Sequence, residues 1–259
     1  MAKPTILVQL SDLHLGAAWE EVEPGVEPLS RLEMALDAIL ALPNGVDAVL
    51  VSGDVSDDGS AESYELARRT LERLGVPVHV LPGNHDDRRR MREVFGLPGS
   101  GEEPINYTVD VGELRLVLLD SIVPGQDPGA LGPERMRWLD AALAEDSTSP
   151  TILALHQAPL PTGNAHWDGI NWEDSGMARQ ELSAVVERHP QLRAIVAGHL
   201  HRIAAATLAG CPVLSVPSAY VQAVPDYEGN DVEMVGLPGF ALHVLSDGEL
   251  ACQVEPLAG

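Results

Sequence analysis

Five short groups of histidine, acidic and asparagine residues, far apart along the chain, carry side chains that bind transition metals. They are Asp12-Leu13-His14, Gly53-Asp54, Gly83-Asn84-His85-Asp86, His156, and Gly198-His199-Leu200-His201. Imidazole, carboxylate and amide ligands suit Zn, Mn or Fe, and the lack of thiolates in these groups argues against a structural zinc site. In extended backbone, residues i and i+2 project to the same side, so a pair with this spacing is expected to aim two side chains at one place. The chemistry predicted is that of a metal centre.

Each group alone also has an ordinary structural interpretation. Asp12 fits a turn or a helix cap, and Asp86 fits the cap of the following helix. His156, which follows an apolar run, fits a hydrogen-bonded core histidine. The pair His199 and His201 is more informative, because two imidazoles on one face seldom serve packing. Since all five groups occur in this order, each after a predicted strand, a joint metal site is the favoured interpretation.

The hydrophobic pattern places these groups where strands end. Apolar runs of strand length precede all five, at residues 5–10, 48–51, 76–81, 151–155 and 194–197. In sheets of alternating strands and helices, ligands collect at the carboxyl ends of the strands. Glycines at positions 53, 83 and 198 are expected to allow sharp turns and a close approach of the backbone. Groups distant in sequence are therefore predicted to converge on one crevice.

Amphipathic helices separate the first three strands. Ser30 and Glu33 form the pattern of a capping box, and apolar residues then recur on one helical face until the Asn-Gly pair at 44–45. A second helical pattern ends at Gly75. This alternation of strands and helices predicts a largely parallel, buried sheet.

The later part of the chain has a different pattern. Residues 105–111 and 114–119 predict a β-hairpin, and Pro133 starts a helical pattern. Residues 179–189 predict a further helix. Short apolar runs from Ile203 to the C-terminus, separated by Gly, Pro and Asp-Gly, predict mostly antiparallel strands.

Composition sets the broad class. The chain has 259 residues, 45% of them hydrophobic, so it can bury a sizeable core. No run approaches the roughly 18 apolar residues of a membrane span, and no signal peptide is evident, so a cytoplasmic location is expected. Without an internal repeat or linker, residues 1–259 are predicted to form one domain with a strand-rich C-terminal part. Cys211 and Cys252 are too few for a disulfide framework; reduced thiols are expected, with a single bridge left open.

Net charge bears on the choice of partner. The formal charge of −23 repels nucleic acid and anionic membranes, so neither is an expected partner. A solubility-driven or salt-adapted surface is the favoured interpretation. An acidic protein that handles phosphate needs local positive charge, and bound metal cations would supply it.

The ordered motifs D-x-H, G-D, G-N-H-[DE], H and G-H-x-H resemble the signature of the calcineurin-like metallophosphoesterases, from Gln9 to about Tyr220. Residues 9–14, 81–87 and 158–163 are most similar to the bacterial cyclic-nucleotide and glycerophosphodiester phosphodiesterases of class III type. The resemblance implies an α/β fold, a four-layer α-β-β-α sandwich of two mixed sheets flanked by helices. It departs from the family at 156–159, where His-His-Pro-Pro is common and this chain has His-Gln-Ala-Pro. What residue 157 contributes is therefore open.

The resemblance also implies roles for the motif residues. Two divalent or trivalent ions, Mn, Fe or Zn, are expected. The implied ligands are Asp12, His14 and His201 for the first ion, Asn84, His156 and His199 for the second, and Asp54 as the bridge. Asn84 and His85 are expected to bind the substrate, and His85 to act catalytically by contacting the phosphate and helping the leaving group depart.

The expected reaction is hydrolysis of a small phosphodiester by a metal-activated hydroxide. Two cations about 3.5–4 Å apart would offset the phosphate charge and lower the pKa of a shared water. The substrate named first is 3′,5′-cyclic AMP. A phosphomonoesterase, a nuclease and a non-catalytic protein-binding scaffold of the same fold are the alternatives. A homodimer is left open.

Two further segments have open interpretations. The arginines at 88, 89, 90 and 92 are interpreted as a solvated helix face that pairs with nearby acids, in preference to a phosphate-binding patch. The polar segment 161–176, which contains His166, Trp167 and Asp168, follows a predicted ligand. It either borders the substrate or forms a simple surface loop.

Overall fold

The structure, a computed structural model, describes residues 3–20, 22, 24–172, 177–226 and 232–257. The helices are α1 (Pro28–Leu40), α2 (Ala61–Leu71), α3 (Arg88–Phe95), α4 (Gly132–Glu145), α5 (Ala165–Asn171) and α6 (Met177–Val186), with a 3₁₀ turn at Glu72–Leu74. The strands are β1 (Thr5–Leu10), β2 (Ala48–Ser52), β3 (Val78–Leu81), β4 (Tyr107–Val111), β5 (Leu114–Leu118), β6 (Thr151–Ala154), β7 (Leu192–Ala197), β8 (Ala204–Leu208), β9 (Cys211–Ser215), β10 (Gln222–Pro225), β11 (Val232–Val235), β12 (Gly239–Ser246) and β13 (Glu249–Pro256).

The strands form two mixed sheets and a small antiparallel pair, β10 with β11. In the first sheet, ordered β13-β12-β1-β2-β3, the first three strands of the chain are parallel and the last two are antiparallel. In the second sheet, ordered β4-β5-β6-β7-β9-β8, the inner strands are parallel and the edge strands antiparallel. The parallel early strands and the β4–β5 hairpin are confirmed. The C-terminal strands are antiparallel as predicted, except that β9 joins β7 in parallel.

Apolar packing arranges these elements in four layers. Side chains from the facing sides of the two sheets, such as Leu50 and Leu116, pack together in the middle of the molecule. The outer face of the first sheet packs on α1 and α2, and that of the second packs on α4 and α6. Burial of these faces stabilises the fold by roughly 25 cal/mol per Å² of apolar surface. The predicted four-layer sandwich is confirmed.

Strand β1 shows how the sequence produces burial on both faces. Val8 and Leu10 face the helices, and Leu7 faces the other sheet, as the two-residue period of a strand requires. Gln9 is fully buried on the inner side, where its Nε2 donates to Ser52 Oγ at 2.8 Å and its Oε1 accepts from His243 Nε2 at 2.8 Å. With its amide satisfied, a polar residue can lie inside the sandwich.

The capping box predicted at Ser30 and Glu33 is wrong. Helix α1 begins at Pro28, and Glu27 before it has extended backbone without a side-chain cap. Proline has φ already fixed near the helical value and needs no N–H partner at the first helical position, so the helix starts before Ser30. The helix also ends at Leu40, ahead of the predicted stop at 44–45.

The basic run lies at the start of α3, and its interpretation as a solvated face is wrong for two of its arginines. Arg88 is 5% exposed, and its Nε and Nη2 each donate to the Asp120 carboxylate at 2.7 Å. Arg92, also buried, donates to backbone carbonyls of the loop 98–103. The other two arginines of the run are exposed. The buried pair therefore ties α3 to the loops beside it.

Replacing Arg88 with methionine is expected to lower the free energy of unfolding by about 3 kcal/mol, because a fully buried carboxylate loses its bidentate partner. Asp120 has no exposed surface, so water cannot replace the guanidinium. Urea denaturation measures the change. The matched control is Arg89→Met, at an exposed position of the same helix, which is expected to change stability by less than about 0.5 kcal/mol. Equal stabilities of the two variants would contradict the structural role.

The two cysteines lie on different sheets and are both free, Cys211 buried on β9 and Cys252 exposed on β13. The disulfide bond that the sequence allows between these two cysteines is therefore not formed. Among the described residues, no helix is both long and apolar enough to cross a membrane. The single domain, the homodimer and the cytoplasmic location stay predictions.

Candidate metal centre

All seven predicted ligands lie just beyond strand ends at one edge of the sandwich. Asp12, Asp54 and Asn84 follow β1, β2 and β3 of the first sheet, and His156 and His199 follow β6 and β7 of the second. The crevice thus lies where the carboxyl ends of both sheets meet. This placement, with two sheets contributing, is what brings together groups separated by up to 189 positions in the chain (Asp12 to His201).

The ligand atoms form two adjacent clusters that could each hold a metal ion: Asp12, His14 and His201 in one, and Asp54, His156 and His199 in the other. Asn84 joins the second cluster, since its Oδ1 lies 3.1 Å from His156 Nε2. Asp54 lies between the clusters, with Oδ2 at 3.2 Å from His156 Nε2 and 3.6 Å from His14 Nε2. A single carboxylate therefore faces both groups.

The first cluster brings two imidazole nitrogens face to face. The Nε2 atoms of His14 and His201 lie 3.0 Å apart. The Nδ1 of His14 donates to Asp57 Oδ1 at 2.9 Å, and the Nδ1 of His201 donates to the carbonyl of Val221 at 3.0 Å. With the protons on Nδ1, both Nε2 atoms present lone pairs to each other. A bound cation would satisfy both, as in metal sites where the second ring nitrogen bonds to a carboxylate or carbonyl.

The second cluster has the same arrangement. His156 Nδ1 donates to the carbonyl of Ser52 at 2.9 Å, which leaves Nε2 facing the acceptor oxygens of Asp54 and Asn84. His199 Nε2 donates to the carbonyl of Ile170 at 3.0 Å, which leaves its Nδ1 free to ligate. A positive charge satisfies these oxygens, supplied either by a proton on His156 Nε2 or by a metal ion. The residues present fit two cations.

The pKa values of the ligands are shifted by burial and by the charges of their neighbours. Burial disfavours the charged form of His156, but the carboxylates of Asp54 and Asp12 outweigh it and raise its pKa to about 9. Burial would raise the pKa of Asp54, and the nearby histidines hold it well below its usual range. Burial lowers the pKa of His201 to about 4, against the opposing charge of Asp12.

The backbone at the ligands is not extended. The prediction that residues i and i+2 face the same side because they lie in extended backbone is therefore wrong. The predicted ligands Asp12, His14, Asp54, His199 and His201 have φ between 45° and 68°, in the left-handed region. Non-glycine residues pay about 1–3 kcal/mol for such conformations, which persist where surrounding contacts enforce them. The side chains converge because the chain coils tightly after each strand. The histidine pair is divided, with one member in each cluster.

Glycine is required next to the ligands for lack of space. A Cβ at Gly53 would collide with the His156 ring, and one at Gly83 would collide with the Asp54 carboxylate. Gly53 also has φ of 104°, which a side chain rarely tolerates. The predicted close approach of the backbone is confirmed at both positions.

Asp86 does not cap the following helix; Asp87 does, through Arg90 N. The buried carboxylate of Asp86 accepts from the backbone N–H groups of Val55, Ser56 and Gly83. Burial and the charge of Asp54 raise its pKa to about 6. Asp86 thus joins the loop that carries Asp54 to the loop that carries Asn84.

Asp57 belongs to the site although the sequence motifs did not reveal it. Its Oδ1 accepts from Nδ1 of His14 at 2.9 Å and lies 3.2 Å from Nδ1 of His85, and both its oxygens accept from Trp19 Nε1. Burial would raise the pKa of Asp57, but hydrogen bonds from the two histidines hold it well below its usual range. A ligating histidine needs an acceptor for its other nitrogen, but with 39 acidic residues in the chain only the structure identifies which one.

Replacing Asp57 with asparagine is expected to weaken metal binding by about 10- to 100-fold, because His14 loses the charged acceptor that fixes its tautomer. Isothermal titration calorimetry of the metal-free protein with Mn²⁺ measures the affinity. The control is Asp58→Asn, a neighbouring exposed residue that bonds to Ser56 and Ser60 and, in the described part of the chain, not to a histidine. If both variants bind metal as the parent does, Asp57 does not act through His14.

His85 lies at the mouth of the site with its side chain 35% exposed. Its Nδ1 is 3.2 Å from the Asp57 carbonyl, and its backbone N–H donates to Asp54 Oδ1 at 3.0 Å. Burial disfavours its charged form, but the hydrogen bond to Asp57 and the charge of Asp54 raise its pKa to about 10. The ring is therefore held beside the ligands and favours its protonated state.

Gln157, at the position that departs from the family pattern, holds a loop to the site. Ser121 Oγ donates to its Oε1 at 2.6 Å, and its Nε2 donates to the carbonyl of Asp127 at 3.0 Å. The side chain of Asp127 in turn accepts from Asn84 Nδ2 at 3.4 Å. Gln157 thus holds in place the loop that carries Asp127, which contacts Asn84.

A cavity of about 230 Å³ opens onto the ligands. Trp19 lines it, together with Trp167 and Ile170 of α5. Of the two interpretations of segment 161–176, the described part supports the first, since α5 borders the site; residues 173–176 lie outside the described residues.

The chain is similar to known proteins over most of its length. A family profile described as calcineurin-like phosphoesterase matches residues 6–202. The 3′,5′-cyclic adenosine monophosphate phosphodiesterase CpdA of Pseudomonas aeruginosa is 32% identical over 246 residues, which cover 95% of this chain and 87% of that protein. The glycerophosphodiester phosphodiesterase GpdQ of Enterobacter lignolyticus is 32% identical over 234 residues, which cover 86% of this chain and 83% of that protein.

Among solved structures, a dimetal phosphatase from Danio rerio superposes with a TM-score of 0.73 at 16% identity, over 98% of this chain and 96% of that chain. At this identity the likeness shows the fold alone. It agrees with the two mixed sheets and flanking helices described above.

Proposed function

Because the chain belongs to the calcineurin-like phosphoesterase family, we propose that it is a dinuclear metal-dependent phosphodiesterase acting on small diesters. Similar proteins bear the names of a cyclic AMP phosphodiesterase and a glycerophosphodiester phosphodiesterase. We take 3′,5′-cyclic AMP as the first substrate to test.

One observation carries the proposal: side-chain atoms able to ligate a metal converge in both clusters, with 3.0 Å between Nε2 of His14 and Nε2 of His201 and 3.1 Å between Nε2 of His156 and Oδ1 of Asn84. We assign one ion, Mn, Fe or Zn, to each cluster. The ligands would be Asp12, His14 and His201 for one ion, Asn84, His156 and His199 for the other, and Asp54 for both. When bound, the ions would offset the phosphate charge and lower the pKa of an attacking water.

The remaining polar groups at the mouth would act on the substrate. His85, held at Nδ1 by Asp57, has Nε2 available to donate a proton to the leaving oxygen. Asn84 would use its Oδ1 as a ligand and its Nδ2 as a donor to a phosphate oxygen, in place of the weak bond to Asp127. Both residues therefore orient the phosphate between the clusters and the leaving group.

Size and charge favour a small substrate. The cavity beside the clusters is about 230 Å³, and the chain carries a formal charge of −23 that opposes a polyanionic nucleic acid. A cyclic mononucleotide and a glycerol phosphodiester each carry a single phosphate group, whose negative charge two cations can balance.

A hydrolysis panel on protein reconstituted with Mn²⁺, Fe²⁺ or Zn²⁺ tests the proposal. It compares bis(p-nitrophenyl) phosphate, p-nitrophenyl phosphate, cyclic AMP and a glycerophosphodiester. We expect both diester types to be cleaved at least about 10-fold faster than the monoester, and chelation with EDTA to abolish turnover.

Three results would contradict it. Preference for the monoester would favour a phosphomonoesterase. Cleavage of single-stranded DNA in preference to all small diesters would favour a nuclease. A folded protein that binds no metal and cleaves nothing would favour a scaffold.

A further inference from the structure

Away from the metal clusters, the first sheet carries a cysteine and a histidine that contact each other. Cys252 on β13 and His243 on β12 are directly opposite in the antiparallel register, so their side chains lie on the same face of the sheet. The Sγ of Cys252 lies 3.1 Å from the Nδ1 of His243. The thiol and the imidazole are therefore within hydrogen-bonding distance, and neither lines the cavity beside the clusters.

Gln9 on β1 fixes which nitrogen of His243 carries the proton. The Nε2 of Gln9 donates to the hydroxyl of Ser52 at 2.8 Å and to the carbonyl of Ala197 at 3.4 Å, and a carbonyl can only accept. The amide oxygen therefore faces His243, whose Nε2 donates to it at 2.8 Å. With that proton on Nε2, the Nδ1 has a lone pair and accepts from the Cys252 thiol.

A nucleophile, a base and a group that orients the base are the parts of a thiol activated by histidine. Cys252, His243 and Gln9 have this arrangement, and they come from three adjacent strands of the first sheet. His243 is fully buried and bonded at both ring nitrogens, so its ring is fixed against the thiol.

The cysteine is accessible although its partners are buried. Cys252 is exposed, whereas Gln9 and His243 are fully buried. β13 is an edge strand of the first sheet, and among the described residues no strand pairs with its outer side. The other cysteine, Cys211, is buried, with its Sγ 3.9 Å from the carbonyl oxygen of Leu192. Cys252 is therefore the cysteine that a small molecule in solution can reach.

Burial favours the neutral forms of both groups at rest. It raises the pKa of the Cys252 thiol to about 11 and lowers the pKa of His243 to about 4. The resting pair is therefore a thiol hydrogen-bonded to a neutral imidazole, and not an ion pair. The thiolate forms as the sulfur attacks, when the proton passes to His243, in the same way that a histidine activates a serine hydroxyl.

We propose that Cys252 is a site of reversible thiolation, at which His243 activates the thiol for exchange with a small disulfide. The sulfur of Cys252 attacks one sulfur of a disulfide R–S–S–R, its proton passes to Nδ1 of His243, and the S–S bond of the reagent breaks. The products are a mixed disulfide on Cys252 and a thiolate, which takes the proton from His243 and leaves as R–SH. The small disulfide is itself the oxidant, so no other reactant is needed.

Charge favours a disulfide that is not anionic. The chain has a formal charge of −23, and Glu249 and Glu255 lie on the same strand as Cys252. An acidic surface repels an anionic reagent and lowers its local concentration. A neutral disulfide is therefore the probe of choice.

Reaction of the folded protein with dipyridyl disulfide, followed by the absorbance of the released thiopyridone, measures the rate. Peptide mass spectrometry then locates the adduct. We expect one fast-reacting thiol at Cys252, no adduct at Cys211 on the same time scale, and removal of the adduct by dithiothreitol. Labelling of Cys211 in preference to Cys252, or no adduct at either cysteine, would overturn the site.

A variant of the histidine and a matched control assign the base. His243→Gln keeps a side-chain donor for Gln9 but removes the base, and it is expected to slow thiolation of Cys252 about 100-fold. His79→Gln replaces a half-buried histidine on β3, at the opposite edge of the same sheet, and is expected to react as the parent does. Circular dichroism establishes that both variants are folded. Equal rates in His243→Gln and the parent would overturn the role of His243.

A measurement on the parent protein tests the base even if His243→Gln does not fold. A proton that moves from sulfur to nitrogen during the attack makes thiolation slower in D₂O than in H₂O. A thiolate present before the attack would react at least as fast in D₂O, and that result would overturn activation by His243. Neither measurement depends on bound metal or on ester hydrolysis, so the outcome is independent of the proposed function.

Discussion

Replacing Asp54 with asparagine is expected to reduce hydrolysis of bis(p-nitrophenyl) phosphate by about 1,000-fold or more and to lower the bound metal from two ions to one or none. The Asp54 carboxylate faces both clusters, at 3.2 Å from His156 Nε2 and 3.6 Å from His14 Nε2. An asparagine amide has the same shape but is neutral, and one of the two carboxylate oxygens is replaced by an NH₂ group that cannot ligate a metal. It therefore cannot balance the charge of two cations in a site where Asp54 is 2% exposed.

Metal content by mass spectrometry and turnover under saturating Mn²⁺ are measured together. The matched control is Asp110→Asn on β4, where the side chain is exposed and the same change should leave both quantities unchanged. Circular dichroism establishes that both variants are folded. A variant at position 54 that kept two ions and most of its turnover would remove Asp54 from the bridging position.

The position of the site was predictable from the sequence because each motif follows an apolar run, and strand ends are set by local pattern. Asp12 and His156 lie two residues beyond β1 and β6, where the carboxyl ends of parallel strands open a crevice. The assembly of two sheets came from the family resemblance and not from periodicity. No local pattern shows that β12, near the C-terminus, pairs with β1.

Contacts between distant residues set the limit of prediction. Arg88 looks like a surface residue until Asp120, 32 positions later, is placed beside it in the interior. Asp57 and Asp58 are identical in type, and only the fold directs one toward His14 and His85. The left-handed backbone at the ligands was also unpredictable, since non-glycine residues adopt it only where tertiary contacts enforce it.

Replacing His85 with alanine is expected to reduce the rate of hydrolysis more for a substrate with a poor leaving group than for one with a good leaving group. Its Nδ1 is held by Asp57, and Asp57 and Asp54 favour its protonated form. A general acid at this position contributes about 100-fold or more when the departing oxygen is an alkoxide, as in cyclic AMP. A p-nitrophenolate leaves without needing a proton, so His85→Ala should lower its release from bis(p-nitrophenyl) phosphate less than about 10-fold.

The ratio of the two losses is the informative quantity, because a merely structural defect would lower both rates equally. His85 is not in either predicted ligand set, so the variant should keep two metal ions. The control is His166→Ala, an exposed histidine on α5, which should change neither rate. If alanine at position 85 slowed both substrates by the same factor with the metal content intact, His85 would orient the phosphate and would not donate the proton. Added imidazole distinguishes the roles further: it can restore a missing proton donor for cyclic AMP, but it cannot restore a lost orientation.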